Sequence, residues 1–377
     1  MIREYFLNQR EQILASAAEL VNFETPSSDK VRCDALANRI AERFADLGSI
    51  ERIENPNGGD HLRIRIAAPQ HADQQPALIL AHYDTVWPVG TLAARPFTVE
   101  GDTAYGPGLY DMKISIAMIE AVLRSLAPLG LSLARPLILL INSDEEIGSH
   151  SSRHLIEETA RECAFTLVLE PPVEPHGALK TARKGVGRFD VEFTGRAAHA
   201  GVEPEKGASA ITEMAHQILA INALADPSKG TTINIGTVRG GGKNNVVPAS
   251  AAIEVDIRAW TLAEGARLEA GFQQLQAVTP GVSVRASGGF NRPPMERTAE
   301  SGALFERAKA LGAALGLDLS EGSTGGGSDG NFTAAVGVPT LDGLGAPGQG
   351  AHASHEQINV PGMLERTMLL AAMLTAL

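Results

Sequence analysis

Short, unbroken apolar runs alternate with helical periodicity through the first half of the chain. ALILA (77–81), LILLI (137–141) and FTLVLE (165–170) are each bounded by turn residues or polar segments. Runs of this length with no polar alternation suit strands buried on both faces. Between them, residues 112–126 and roughly 149–159 repeat their apolar positions at helical spacing, as does the N-terminal MIREYFLNQREQILASAAEL. Strand–helix–strand alternation predicts an α/β domain whose mostly parallel sheet is sandwiched by helices.

The middle of the chain follows a different rule. In RFDVEFTG, Phe189, Val191 and Phe193 alternate with polar residues, which predicts a strand with one wet face. A helical stretch (208–224), TTINIGTV (231–238), AAIEVDIRAW (251–260), a helix near 262–275 and VSVRA (282–286) follow. That order, β-α-β-β-α-β, predicts a ferredoxin-like α+β domain. The rest returns to helix, an apolar strand (336–341) and a closing helix (361–377). The expected organisation is one α/β domain over 1–183 and 289–377, interrupted by an inserted domain over 184–288.

Composition narrows the function classes. A chain of 377 residues is long for a single domain, and 44% hydrophobic with 20% charged residues is a globular balance. A net charge of -12 argues against nucleic-acid or anionic-membrane partners, which need clustered Lys and Arg. No apolar run is long enough to span a bilayer. The N-terminus mixes acids into a helical period, so it reads as a domain helix and not a signal peptide. Cys33 and Cys163 can build no disulfide framework and lack metal-ligand spacing, so reduced thiols in a cytoplasmic protein are expected.

Ligands of open α/β sheets sit beyond the carboxyl ends of the strands, and three predicted strands end in metal-binding residue types. ALILA runs into His82-Tyr83-Asp84, LILLI into Asn142-Ser143-Asp144-Glu145-Glu146, and FTLVL into Glu170. Asp111 begins a helix after the turn-rich GPGLYD. Taken singly, each is better read as a cap or a solvated group. Converging on one sheet edge, the carboxylates repel one another, and a cation is the simplest remedy. Imidazole with carboxylate and no thiolate suits zinc, with manganese or cobalt as substitutes. More acids than one ion needs points to a pair of ions sharing a carboxylate. One member of the Glu145-Glu146 pair can then bind metal while the other serves as base.

HYDTVWPVG, GPGLYDMK, SDEEIGS, LEPP, GRAAHAG, NVVPASAAIEVDIR and TGGGSDG resemble, in order, the motifs of the co-catalytic zinc aminoacylase/carboxypeptidase family, and most of all its carboxypeptidase G-like (glutamate carboxypeptidase) subgroup. The resemblance spans about 76–360. It implies that His82 and Glu170 bind one zinc, Glu146 and His352 the other, and that Asp111 bridges them. It implies further that Asp84 holds the His82 imidazole and that Glu145 is general base, then general acid to the leaving amine. His199 would reach the partner's active site across a homodimer and stabilise the oxyanion. Asn245, Arg258 and Arg292 match substrate-binding positions. The family's DMKGG is here Asp111-Met112-Lys113-Ile114-Ser115, with both glycines replaced. Of His352 and His355, the family's H-S-P-x-E spacing before Glu356 selects His352 as ligand and leaves His355 a solvated neighbour.

Other features have plainer readings. His61, His71, His150, His154, His176 and His216 stand outside any motif, and surface or capping roles are expected for them. GSTGGGSDGN (322–331) lacks the phosphate-loop pattern. Its amides can cradle a substrate carboxylate, or the stretch can be a flexible surface loop. For Arg258 the alternative is a structural ion pair.

The expected activity is hydrolysis of an amide next to a free carboxylate, releasing a C-terminal amino acid such as glutamate. An N-acyl amino acid deacylase or desuccinylase is the nearest alternative, with small peptides or N-acyl amino acids as substrates. A metal-free scaffold on the same fold is a third possibility. It would have lost ligands, and this chain keeps them all.

Overall fold

The computed structural model describes residues 2–377. In chain order, the strands of its two larger sheets are β1 (Ser49–Ile53), β2 (His61–Ile66), β3 (Ala77–His82), β4 (Leu137–Asn142), β5 (Phe165–Val168), β6 (Gly185–Thr194), β7 (Thr232–Gly240), β8 (Ser250–Ala259), β9 (Ser283–Arg292) and β10 (Thr340–Leu341). The chain divides into two compact units, one of 1–181, 297–324 and 328–377, the other of 182–296 and 325–327.

The first unit holds a six-stranded sheet in the order β1-β2-β4-β3-β5-β10. β4, β3, β5 and β10 run parallel, and β1 and β2 add an antiparallel edge. Every residue of β3 and β4 is buried, which explains their lack of polar alternation. Ile79, Ala81, Leu139 and Ile141 face one core with the helices Arg10–Val21, Ile114–Leu129 and Val360–Ala376. Leu78, Leu80, Ile138 and Leu140 face the other, with Arg153–Arg161 and Gly330–Ala335. Because both sides are covered by helices, the free backbone and polar positions are left at the strand ends. The apolar run 336–341 yields only the two residues of β10, because Phe332–Val336 closes the preceding helix and Gly337 turns left-handed at φ 84°.

The second unit is a four-stranded antiparallel sheet in the order β7-β8-β6-β9, crossed by the helices Ala210–Asn222 and Leu262–Gln273. This is the ferredoxin-like arrangement. Phe189, Val191 and Phe193 point into its core, and Phe189 stacks on Phe272 with ring centroids 4.0 Å apart. The opposite face carries charged pairs such as Arg188–Glu254 (3.3 Å) and Arg239–Glu254 (2.8 Å). β9 runs to Arg292, so a boundary at residue 288 falls inside the strand. The apolar alternation stops early there because Gly288 and Gly289 carry no side chains. A Cβ on Gly288 would lie 2.1 Å from the Arg188 carbonyl, and its φ is 133°. Just outside the sheet, Arg183 and Met295 exchange two backbone hydrogen bonds of 2.9 and 3.1 Å.

Candidate metal centre

The carboxyl ends of β3, β4 and β5 place His82, Glu145-Glu146 and Glu170 at one edge of the first unit's sheet. His82 closes β3 opposite Asn142 of β4, and Glu170 lies two residues beyond β5. His82 Nε2 is 3.1 Å from Asp111 Oδ1 and 3.5 Å from Glu170 Oε1. On the far side of the same aspartate, His352 Nε2 is 3.4 Å from Asp111 Oδ2 and 3.0 Å from Glu146 Oε2. Asp111 therefore offers one oxygen to each of two imidazoles. Ligand atoms of His82, Asp111 and Glu146 lie within 4.8 Å of one another, as do those of His82, Glu145 and Glu170.

Asp84 is fully buried and has two tasks. Its carboxylate sits 3.4 Å from His82 Nδ1 and accepts from Ser27 Oγ at 2.7 Å. It also accepts from the backbone N–H groups of Glu145 and Glu146, at 3.3 and 3.2 Å, and so fixes the turn that carries both acids. Orienting a ligand imidazole through a carboxylate is a common device of metal sites. The same turn is braced from behind. Asp144 accepts from Ser151 and Ser152, and Asp329 accepts from Asn142 Nδ2 (2.7 Å) and the Ser149 hydroxyl.

The electrostatics of the cluster are unbalanced. Burial works against a charged His82, but hydrogen bonds to Asp111, Asp84 and Glu170 outweigh it and hold the imidazole well above its ordinary range. Burial also opposes charge on Asp111, and there the hydrogen bonds with His352 and His82 win, holding it well below the usual carboxylate range. Glu146 goes the other way. Burial outweighs its hydrogen bond to His352, the Asp111 charge adds to it, and the carboxyl is pushed up to about 7. Hydrogen bonds to Asp111 and Glu146 lift His352 to about 10. Glu146 Oε1 is buried with no hydrogen-bond partner. Nitrogen and oxygen donors this close, one of them a buried orphan, fit a divalent cation, which would replace the shared protons as counter-charge.

Asp111 and His352 sit on irregular backbone. Asp111 has non-helical dihedrals just before Ile114–Leu129, and its peptide bond to Met112 is cis. His352 adopts φ 61°, a left-handed conformation unusual for a residue with a side chain. Buried Glu356 takes N–H bonds from this turn, from Gly108 (2.8 Å), Tyr110 (3.0 Å) and Asp111 (3.2 Å), and from Trp87 Nε1 (2.8 Å). Arg95 lies 4.0 Å over the Trp87 ring and donates to the Ser354 carbonyl at 3.0 Å. The replaced family glycines are accommodated: Ile114 and Ser115 are both fully buried, and the Ser115 hydroxyl donates to the Leu169 carbonyl, beside Glu170, at 2.6 Å.

The remaining sequence candidates lie in the second unit. His199 is exposed and pairs as a bridge with Val246, while Ala200 N–H donates to the Asn245 carbonyl at 3.0 Å, so His199 and Asn245 are brought side by side. Gly201 N–H donates to His199 Nδ1 at 3.2 Å, which leaves the proton of a neutral ring on Nε2. Arg258 forms the forked ion pair with Asp256, both bonds 3.0 Å, and donates to the Gly325 carbonyl at 3.1 Å. Arg292 is buried at the end of β9.

Two sequence expectations need correction. His61 is no surface or capping group. It is buried in β2, where its ring contacts Ser151 Oγ at 3.0 Å and accepts from Ser143 N–H at 3.3 Å, behind the Glu145 turn. Burial holds its imidazole below the ordinary range. Nor is 322–331 a flexible loop. The carbonyls of Gly326 and Gly327 accept from Arg183, that of Gly325 accepts from Arg258, and Ser328–Asn331 are buried. Asp144, Asp329, Ser115 and the role of Glu356 were not read from sequence, although a buried Asp beside Ser151-Ser152 and an acid four residues after His352 were available signals.

Comparison with known proteins gives a consistent result. The model of peptidase family M20/M25/M40 matches residues 78–376. Carboxypeptidase G2 of Pseudomonas sp. (strain RS-16) is 30% identical over 97% of this chain and 89% of its own length. Acetylornithine deacetylase of Yersinia pseudotuberculosis is 29% identical over 60% of this chain and 61% of its own. Among solved structures, aminopeptidase PepT of Bacillus cereus superposes with a TM-score of 0.79 at 22% identity, covering 97% of this chain and 98% of that one.

Proposed function

The chain belongs to peptidase family M20/M25/M40 and is a metal-dependent hydrolase, and from that premise we propose that it cleaves an amide bond next to a free carboxylate and releases a C-terminal amino acid such as glutamate. The observation that carries the reading is Asp111, which presents one oxygen to His82 and the other to His352, with Glu170 and Glu146 beside them. His82 and Glu170 would hold one ion, Glu146 and His352 a second, with Asp111 between. Zinc is the natural occupant of such a donor set, with cobalt or manganese as substitutes. Two such ions supply Lewis acidity to water and to the scissile carbonyl.

The chain's own groups do the rest. Glu145, on the turn fixed by Asp84 and within 4.8 Å of the His82 and Glu170 ligand atoms, takes the proton from the attacking water and returns it to the leaving amine. His199, exposed and with Nδ1 taken up by the Gly201 N–H, donates from Nε2 to the developing oxyanion of the partner subunit in a homodimer. Arg258, Arg292 and Asn245 hold the substrate carboxylate, with Arg258 exchanging its Asp256 partner for it.

Likeness to carboxypeptidase G2 over nearly the whole chain favours this substrate class. An N-acyl amino acid deacylase is the second reading, favoured by the shorter match to an acetylornithine deacetylase. A panel of peptidyl, aryl-acyl and N-acetyl amino acids with varied C-terminal residues, each assayed with zinc, cobalt and manganese, separates them. Preference for N-acetyl or N-succinyl substrates over peptidyl and aryl-acyl glutamates would overturn the carboxypeptidase reading.

A further inference from the structure

His352 and Asp111 come from segments far apart in the chain, yet the site works as two subsites only if their separation is fixed. Neither residue lies in a regular element itself, although a three-residue antiparallel ladder of Gln357–Asn359 on Thr103–Tyr105 runs nearby. His352 sits in a turn at φ 61°, and Asp111 sits where the backbone leaves helical dihedrals. Beyond that ladder, the backbone of the two turns is tied by one carboxylate. Glu356 Oε1 accepts from Tyr110 and Asp111 N–H, and Oε2 accepts from Gly108 N–H and Trp87 Nε1. Each oxygen thus serves two donors, an arrangement only an ionised carboxyl can satisfy in full. Trp87 extends the tie, because Arg95 lies over its ring and bonds the carbonyls of Ala353 (3.4 Å) and Ser354 (3.0 Å), the two residues after His352.

Resting on the two-ion reading above, we propose that Glu356, with Trp87 and Arg95, is a positioning residue that sets the spacing of the two cation subsites by locking the Asp111 turn to the His352 loop. It touches neither substrate nor reacting atoms. Its effect is carried by the placement of Asp111 and His352, and buried partners of metal ligands commonly govern affinity in this way.

The decisive variant is Glu356→Gln, nearly the same size, whose amide must turn an NH2 towards one of the two N–H pairs. Metal-free wild type and variant are titrated with zinc alone by calorimetry against a competing chelator, and kcat and KM are then measured at rising zinc. The variant is expected to bind the weaker ion about 10- to 100-fold less tightly. Its kcat should fall at limiting zinc and recover at excess, with KM unchanged, a rescue that a general loss of structure does not give. Two wild-type affinities in the variant, each within about twofold, overturn the proposal. If Glu356→Gln does not fold, Trp87→Phe decides. Loss of one donor should weaken the second ion by roughly fivefold, the worth of about one hydrogen bond, and an unchanged titration overturns the proposal. A wild-type chain that takes up no second ion overturns the two-ion reading itself, whatever the variants do.

Discussion

Two groups of carboxylates in the first unit are balanced in different ways. Under the N-terminal helices, Glu120 and Glu19 are matched by guanidinium groups. Arg43 reaches both, Arg39 reaches Glu19 at 2.5 Å, and Arg124 meets Glu120 at 3.0 Å. The side-chain hydrogen bond from Arg39 draws Glu19 below its ordinary range against the pull of burial. At the metal centre, Asp111 pairs with His82 and His352 and Glu146 with His352, and burial pushes Glu146 up to about 7. The first cluster is complete within the chain and should serve stability. The second shares too few protons among too many acids, the condition in which a cation adds most.

The difference can be tested from either side. The largest effect is expected from Glu145→Gln, which should keep both ions but lower turnover by about 10²- to 10⁴-fold. Stopped assays with parallel metal analysis check it, and substantial residual activity would remove Glu145 as the base. Next in size, Glu120→Ala breaks a buried charge pair and should cost about 3 kcal/mol of stability while leaving zinc binding intact. A denaturant titration on the zinc-loaded and metal-free forms measures this, and a loss of metal affinity would show that the clusters are not independent.

A pH series sharpens the same contrast. The folded pKa of Glu146 lies above its ordinary value, so its contribution to the metal-free protein is full below about pH 4.5 and is lost as pH rises through about 7. Bound cation removes that penalty. The gap in melting temperature between loaded and metal-free protein should therefore widen from pH 5 to pH 8, and a gap that narrows contradicts the electrostatic account. The smallest effect belongs to Ser115→Ala, which loses the bond to the Leu169 carbonyl and should cost about 1 kcal/mol, with at most a modest fall in kcat.

The strand-end acids and His82 were legible because a fully buried strand leaves only its end for chemistry, and the polar residue after each apolar run marks that end. The mixed α/β class followed from the same runs. His61 was misread because it lies at the first residue of a strand, where the sequence signal is that of a polar loop, and its burial depends on Ser143 and Ser151 arriving from elsewhere. Asp329 and Glu356 act on partners roughly 180 to 270 residues away, a separation no local pattern encodes. The paired glycines of β9 hid part of a strand, because the alternation that reveals a half-buried strand needs side chains to read.

The pair of backbone hydrogen bonds between Arg183 and Met295 has a consequence for how such a molecule can change over generations. The segment between those residues leaves and rejoins the chain at paired backbone positions, with only 325–327 joining the same unit from elsewhere, so a change of length inside it need not reorder the six strands. The six-stranded sheet never needs to be rethreaded. If Arg258, Arg292 and Asn245 bind substrate as proposed, selection can remodel that recognition while the sheet edge bearing His82 and the Glu145-Glu146 turn keeps its sequence, giving one hydrolytic chemistry many specificities.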